Sequence, residues 1–211
     1  MKAYIIAGAP SPDIGYIRER IPEGAFVLCA DRGYSYARQA GITPSVIIGD
    51  FDSCPCEVPE GGNTVRLNRE KDFTDTLHCV EKALERGCDE LLLFAATGGR
   101  LDHTLANLCA LEFALDRGAD AVILSEREEI RLLDRGEHRF DGRDGLTFSL
   151  FPFGCGEAAL SISGAHYPLS RYRMKSGVPI GVSNIFEGDR CVITVESGRA
   201  LLVVNTDDRF L

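Results

Sequence analysis

The stretch Val46-Ile47-Ile48-Gly49-Asp50-Phe51-Asp52-Ser53 decides how the fold is interpreted. Its first three residues form a short, fully apolar run, which is typical of a strand buried on both faces of a parallel sheet. A glycine follows, and then two carboxylates one residue apart. If the backbone stays extended, Asp50 and Asp52 point to the same side at the carboxyl end of the strand, where open α/β sheets bind their ligands.

These two carboxylates have two interpretations. Like charges at such short range repel each other, and a divalent cation removes the repulsion. Mg²⁺ is the usual partner of carboxylates that act together with substrate phosphates. The alternative is a plain turn, because Asp and Ser commonly close turns and cap helices. The stretch alone therefore predicts either a magnesium site or a capped turn.

The chain on both sides of this stretch alternates between strand and helix patterns. Apolar strand candidates cover residues 3–7, 26–30, 46–48, 91–95 and 121–124, with a weaker one at 64–67. Helical periodicity covers residues 14–20, 33–40, 76–86 and 101–117. In the last of these helices one apolar face is predicted, formed by Leu101, Leu105, Leu108, Leu111 and Leu115. Such alternation predicts a parallel sheet that is covered by helices on both faces.

The pattern changes after about residue 126, and no long helical periodicity follows. Short segments of β character take its place, at residues 130–133, 146–151, 159–163, 180–182, 191–195 and 200–204. We therefore predict an α/β fold with two domains. An N-terminal, Rossmann-like parallel-sheet domain spans residues 1–127, and a C-terminal antiparallel β-sandwich domain spans residues 128–211.

The composition is that of an ordinary soluble globular protein, with 45% hydrophobic and 26% charged residues in 211. No apolar run has the length of a membrane span and no signal peptide is evident, so we expect a cytoplasmic protein without a membrane partner. A net charge of −9 argues against a nucleic-acid partner.

The eight cysteines are scattered along the chain and are expected to be free thiols in a reducing compartment. Their one close pair is Cys54-Pro55-Cys56, and the second pair that a zinc site needs is missing.

Three further polar segments follow predicted strands. They are Ala30-Asp31-Arg32-Gly33, Lys71-Asp72-Phe73-Thr74-Asp75 and Thr97-Gly98-Gly99-Arg100-Leu101-Asp102-His103. Paired glycines at a helix start let backbone N–H groups approach an anion, and Arg or Lys side chains bind phosphate oxygens. Each segment also has a structural alternative, since Asp and Thr cap helices and a lone His is usually solvated. Together, at one edge of a sheet, the segments favour a magnesium–nucleotide site.

In their order and approximate spacing, these four motifs resemble those of the thiamine pyrophosphokinase family. Gly164-Ala165-His166-Tyr167-Pro168-Leu169 and Gly181-Val182-Ser183-Asn184-Ile185-Phe186 resemble its C-terminal motifs, so that the resemblance covers nearly the whole chain. It implies that the α/β domain is catalytic and binds ATP and Mg²⁺, and that the β-sandwich binds thiamine and forms a homodimer. The reaction it implies moves a diphosphate group from ATP to the hydroxyl of thiamine, giving thiamine diphosphate and AMP.

The resemblance also implies roles for individual residues. Asp50, Asp52 and Asp75 would be the catalytic residues, holding Mg²⁺ and orienting the attacking hydroxyl. The residues expected around ATP are Asp31, Arg32, Lys71, Gly98, Gly99, Arg100, Asp102 and His103. Those expected to bind thiamine, near the subunit interface, are Ser183, Asn184 and Phe186.

Two other functions stay open, because this chain departs from the family mainly in its second half. Ile185 stands where the family often has an acidic residue, and the chain has no tryptophan. One alternative is a diphosphokinase that acts on another alcohol, such as a hydroxymethylpterin. The other is a nucleotide- or thiamine-binding sensor without catalytic activity.

Overall fold

The computed structural model describes residues 1–52, 54–68 and 73–207. The chain divides into two compact units, Met1–Glu126 and Arg127–Leu211. Among the described residues of the first unit there are six strands: β1 (Lys2–Ile6), β2 (Val27–Ala30), β3 (Val46–Gly49), β4 (Thr64–Arg66), β5 (Glu90–Phe94) and β6 (Asp120–Leu124). The helices between them are α1 (Ile14–Arg20), α2 (Gly33–Ala40), α3 (Asp75–Glu85) and α4 (Leu101–Leu115).

The strands of the first unit are all parallel and lie in the order β6-β5-β1-β2-β3-β4. The chain therefore leaves β1 in one direction as far as β4 and then returns to the other side of β1 with β5. Such a reversal marks the place where open parallel sheets bind their ligands, outside the carboxyl ends of the strands. The predicted parallel-sheet α/β architecture is confirmed.

The two faces of this sheet are covered by different helices. One apolar cluster joins residues of α1 and α2 to alternate strand residues such as Ile6, Cys29 and Ile47. The intervening strand residues, such as Ile5 and Leu28, point to the opposite face and are also fully buried. Helix α3 contacts β1, β2 and β3 but contributes nothing to the first cluster, so it covers this opposite face.

The helix ends follow the local chemistry of the sequence. Thr74 is the N-cap of α3, and its hydroxyl oxygen accepts a hydrogen bond from the Leu77 N–H at 3.2 Å. Gly41 ends α2 in the left-handed conformation, with φ 72°. Among the helices that the structure describes, none has both the length and the hydropathy that a membrane span requires.

The prediction of a continuous leucine face on α4 is wrong at the start of the helix. Leu101 and Leu105 are 72% and 51% exposed, and the fully buried positions of this helix are Asn107, Ala110, Leu111 and Ala114. Small side chains on the buried face let the helix pack closely, which shifts this face away from the leucine stripe.

The second unit is built from two antiparallel sheets. Its strands are β7 (Glu128–Leu133), β8 (Gly136–Asp141), β9 (Thr147–Pro152), β10 (Glu157–Ser163), β11 (Leu169–Lys175), β12 (Asn184–Ile185), β13 (Arg190–Ser197) and β14 (Ala200–Asn205). The strands β12-β9-β14-β7 are neighbours in one sheet, and β11-β10-β13-β8 form the other. Apolar residues from both sheets, among them Phe148, Leu160 and Ile193, share one core, as a sandwich requires.

The strand predicted at residues 180–182 is not found. This segment is a loop, in which Ile180 and Val182 are exposed although apolar residues alternate there as in a strand. The loop runs close beside β9, because the Leu150 N–H donates a 2.8 Å hydrogen bond to the Gly181 carbonyl.

We predict that Gly33→Ala destabilises the protein by about 3 kcal/mol, because a Cβ atom at Gly33 would lie 2.0 Å from the Ile6 carbonyl oxygen. Gly8→Ala is the matched control, since its Cβ would meet no atom closer than 3.6 Å. Denaturant unfolding of both variants measures the difference. Equal free energies of unfolding would contradict this account of the packing.

Candidate active site

The strand ends predicted to bind ligands lie in one stretch of the sheet of the first unit. Strands β5, β1, β2, β3 and β4 are consecutive there, and the predicted segments follow β5, β2, β3 and β4 in the sequence. The segments after β1 and β5 are joined by a 2.8 Å hydrogen bond from the Ala9 N–H to the Ala95 carbonyl. The segment after β2 is joined to β3 by a 2.8 Å bond from the Asp31 N–H to the Ile48 carbonyl. The topology thus brings these segments to one edge of the sheet.

Asp31 and Gly49 are packed backbone against backbone. A Cβ atom at position 49 would lie 3.0 Å from the Asp31 Cα atom, which is tighter than most real contacts. The close approach of the segment after β2 therefore favours a glycine before Asp50. This contact places Asp31 beside the carboxylate turn that begins at Asp50.

Three residues without a glycine's freedom adopt left-handed backbone conformations at this edge. Asp31 has φ 47°, Phe51 has φ 63° and Ala95 has φ 51°, and they follow β2, β3 and β5 respectively. Each such residue costs of order 1 kcal/mol and persists only where the surroundings hold it. Strained residues of this kind cluster at functional sites, which supports the choice of this edge as the site.

Asp50 and Asp52 belong to one tight turn. The Asp52 N–H donates to the Asp50 Oδ1 atom at 3.3 Å, and Phe51 between them is left-handed. Asp52 is exposed and Asp50 is half-buried. The backbone here therefore forms the turn that was one of the two interpretations of the sequence. Neither carboxylate is buried, so a ligand can still reach both of them.

Asp75 is the first residue of α3, where a carboxylate suits the positive end of the helix dipole. Burial of the Cys79 thiol, one turn later, raises its pKa, and the charges of Cys29 and Asp75 raise it further. Helix α3 packs on β3 and β2, the strands that lead to Asp50 and Asp31.

Lys71, the predicted phosphate ligand of this segment, lies outside the described residues, as do Asp72 and Ser53.

The donor chemistry of the Asp50–Asp52 turn fits Mg²⁺. In the part of the chain that the structure describes, no group of three or more His, Cys, Asp or Glu side chains could hold a metal ion. In nucleotide sites, however, this ion takes one or two carboxylates and fills its other positions with water and phosphate oxygens. Two hard oxygen donors from one turn are such a set.

The glycine-rich segment after β5 presents its backbone openly. Gly98 has φ 91°, and a Cβ atom at Gly99 would lie 2.6 Å from Pro10 Cδ, in the segment after β1. Glycine is required at both positions, first for the turn and then for the close approach. The start of α4 follows directly, where Arg100 makes no side-chain cap hydrogen bond and the His103 N–H donates to the Asp102 carboxylate at 2.9 Å.

Arg100 and Asp102 form an exposed, two-point ion pair. The Arg100 Nε and Nη2 atoms donate to the Asp102 carboxylate at 3.1 and 2.6 Å. The guanidinium lowers the pKa of Asp102 below its ordinary value. Arg100 is thus held at the start of α4, next to the glycines, while His103 beside it is exposed.

The segment after β1 was not identified from the sequence. Gly8, Ala9 and Pro10 contact the segments after β2 and β5, and a Cβ atom at Gly8 would meet the Arg32 Cβ atom at 3.6 Å. Its position alone could have identified it, because it follows the first strand of the alternating pattern and ligands bind at the carboxyl ends of such strands.

In the second unit, Asn184 is buried and acts as a clamp on the backbone. Its side-chain oxygen accepts a 3.0 Å hydrogen bond from the Tyr167 N–H, and its side-chain nitrogen donates to the Tyr167 carbonyl at 2.8 Å. The clamp fixes the backbone of Tyr167, whose exposed ring is a further candidate for ligand contact. An exposed aromatic ring of this kind has no periodic signal in a sequence.

Ser183 and Phe186 lie in contrasting surroundings. Ser183 is exposed and left-handed, with φ 60°, and its N–H donates to the Ser149 hydroxyl at 3.1 Å. Phe186 is 2% exposed and packs in the sandwich core, with its ring centroid 4.3 Å from that of Phe148. A direct contact between Phe186 and thiamine stays a prediction, and the burial of this ring favours a supporting role.

Two family models match the chain in succession. The model described as the catalytic domain of thiamin pyrophosphokinase matches residues 18–124. The model described as the vitamin B1 binding domain of thiamin pyrophosphokinase matches residues 136–202.

Individual proteins give the same result. The chain is 26% identical to the thiamine pyrophosphokinase of Bacillus subtilis over 209 residues, which are 96% of this chain and 98% of that relative. It is 32% identical to thiamine pyrophosphokinase 1 of Oryza sativa over 170 residues, 73% of this chain and 63% of that one. The crystal structure of the thiamin pyrophosphokinase from Geobacillus thermodenitrificans is similar over 100% of both chains, with a TM-score of 0.86 and 25% identity.

We predict that Asn184→Ala lowers the free energy of unfolding by about 2–4 kcal/mol, because the Tyr167 N–H and carbonyl would lose their partner at a buried position. Ser183→Ala is the control, since the side chain of this neighbouring residue is exposed. Chemical denaturation of the two variants gives the comparison. A loss as large for Ser183→Ala would show that the clamp is unimportant.

Proposed function

The chain belongs to the thiamine pyrophosphokinase family, and from this premise we propose that it transfers the diphosphate group of ATP to the hydroxyl of thiamine. The products are thiamine diphosphate and AMP. The observation that supports the proposal most directly is that the segments after β5, β1, β2 and β3 lie together at one edge of the sheet.

We propose that ATP binds along this edge. The open backbone of Gly98 and Gly99 and the start of α4 offer N–H groups to phosphate oxygens. Arg100 adds two donors in a fixed plane, which phosphate oxygens can take over from Asp102. Arg32, Asp102 and His103 complete the set expected near the nucleotide, with Asp31 beside them, and Lys71 is expected to join it.

Asp50, Asp52 and Asp75 are the residues that we propose to hold Mg²⁺. When bound, this ion supplies positive charge that offsets the charge developing on the phosphate oxygens. The carboxylates themselves are placed by the tight turn after β3 and by the first turn of α3. Their position on rigid elements keeps the acceptor and the polyphosphate in line, which is the main requirement of phosphate transfer.

In the reaction, the hydroxyl oxygen of thiamine forms a bond to the β-phosphorus of ATP. The bond from this phosphorus to the oxygen that bridges to the α-phosphorus breaks, and AMP leaves with the electron pair. The hydroxyl proton passes to a carboxylate, for which we propose Asp75. No covalent intermediate on the protein is needed.

The proposed thiamine-binding site involves Ser183, Asn184 and Phe186 in different ways. Ser183 is exposed and can contact a ligand directly, whereas Asn184 and Phe186 hold the surrounding backbone in place. The exposed ring of Tyr167 offers a face to the cationic thiazolium ring.

We further propose that the protein acts as a homodimer in the cytoplasm. The scattered positions of its eight cysteines in the sequence favour a reducing compartment.

We predict that the purified protein with ATP, Mg²⁺ and thiamine produces AMP and thiamine diphosphate in equal amounts. Chromatographic separation of the nucleotides and of the thiamine phosphates measures both products. ADP with thiamine monophosphate would overturn the mechanism. AMP release with a hydroxymethylpterin but not with thiamine would replace the acceptor, and ligand-dependent stabilisation without any product would identify a sensor.

We predict that Asp50→Asn and Asp52→Asn each lower turnover by at least about 100-fold while the thermal transition stays close to that of the unchanged protein. The matched control is Glu60→Gln, which removes an exposed carboxylate from the same connection between β3 and β4. Steady-state rates and thermal denaturation test all three variants. Near-normal rates in both aspartate variants would remove these residues from the mechanism.

A further inference from the structure

The segment after β3 contains a pair of thiols in contact. Cys54 and Cys56 are separated by Pro55, the chain bends at Pro55, and their Sγ atoms lie 3.4 Å apart. A disulfide needs the two sulfur atoms about 2.0 Å apart, so a movement of a little over 1 Å joins them. None of the roles proposed above uses these two side chains.

The pair differs from the buried cysteines of the same unit in its access to solvent. Cys54 and Cys56 are half-buried, whereas Cys29 and Cys79 are fully buried. Burial raises the pKa of the Cys54 thiol as well as those of Cys29 and Cys79, so the difference between them lies in access to solvent. Small oxidants therefore reach Cys54 and Cys56 more readily than these two buried cysteines.

The pair is connected directly to the carboxylate turn. The Cys54 N–H donates a 3.3 Å hydrogen bond to the carbonyl of Phe51, the left-handed residue between the two aspartates. The side chains of Phe51, Cys54 and Cys56 also pack against one apolar cluster. A change in the position of the sulfur atoms is therefore transmitted to the backbone that places Asp50 and Asp52.

We propose that Cys54 and Cys56 form a reversible disulfide that lowers the activity by displacing the Asp50–Asp52 turn. The effect on activity rests on the proposed function, whereas the disulfide itself does not. Reversible disulfides that sense the redox state are the kind found in reducing compartments. The alternative is that the two thiols serve only to pack the loop against its apolar cluster.

The oxidant is a small-molecule disulfide of the oxidised glutathione type. One protein thiolate attacks a sulfur of this disulfide, forms a mixed disulfide and releases one small thiol. The second protein thiolate then attacks the protein sulfur of the mixed disulfide and releases the second small thiol. Two electrons pass from the protein sulfurs to the small disulfide, and the two protons go to the released thiols.

Mass spectrometry tests the disulfide without reference to activity. Trypsin cleaves after Arg38 and Arg66 and leaves residues 39–66 as one peptide, in which Cys54 and Cys56 are the only cysteines. After incubation of the native protein with oxidised glutathione and alkylation of the remaining thiols, we expect this peptide without alkyl groups and lighter by two hydrogen atoms. Alkylation or glutathionylation at both positions would overturn the proposal.

Activity tests the consequence on the same samples. We expect oxidation to lower turnover at least about tenfold, since small displacements of reacting groups have effects of this size, and a dithiol reductant to restore it. In the Cys54→Ser and Cys56→Ser variants, oxidation should no longer lower turnover. If a serine variant folds poorly, the corresponding alanine variant replaces it, and the same result is expected. Cys109→Ser, which removes an exposed thiol from α4, should keep the sensitivity to oxidation.

The failures of the two proposals are distinguishable. A disulfide that leaves the turnover of an active enzyme unchanged would overturn control of the site. If the reduced protein makes no thiamine diphosphate, the proposed function fails, while the mass of the 39–66 peptide still decides whether the disulfide forms.

Discussion

Backbone atoms at the carboxyl ends of β1, β2 and β3 approach each other so closely that side chains are excluded. Gly33 lies against the Ile6 carbonyl, and Gly49 lies against Asp31. Because these contacts join neighbouring strand ends, they fix where the segments after β2 and β3 leave the sheet. The carboxylates and the helix starts that form the proposed nucleotide site are positioned by this packing.

Most of the first unit could be predicted because its strands are buried on both faces. Such strands are short, continuous apolar runs. The ends of the helices are marked by the glycines that follow them. The predicted helices at residues 14–20 and 33–40 coincide with α1 and α2. The face of α4 could not be predicted, because its buried residues are Asn107, Ala110 and Ala114 together with a single leucine of the predicted stripe, Leu111.

Among the described strands, sequence patterns missed the two-residue β12 and the longer β8 and β11, and all three are edges of their sheets. Edge strands have one unpaired side and carry charged residues that discourage pairing with other chains. In β8 and β11 these charges include Arg139, paired with Glu137, and Arg173, paired with Glu157. Their polar composition hides the alternation of apolar residues on which strand prediction depends.

The proposed site was predictable where it depends on residue type and position, and less so where it depends on packing. Asp50 and Asp52 follow an obvious strand, so their place at the sheet edge could be inferred. The burial of Asn184 and Phe186 could not, because it results from contacts with Tyr167 and Phe148 that are remote in sequence.

Each unit contains a residue in a strained, left-handed conformation, and a hydrogen bond from the backbone N–H holds both residues in the same way. Asp31 in the first unit and Ser183 in the second adopt left-handed conformations, and each donates its N–H to a fixed acceptor, the Ile48 carbonyl or the Ser149 hydroxyl. These hydrogen bonds help to offset the conformational cost. Since the acceptors belong to β3 and β9, the rigidity of the strands is passed to the turns. Phosphate transfer depends on such fixed placement, because positioning and charge are its main catalytic requirements.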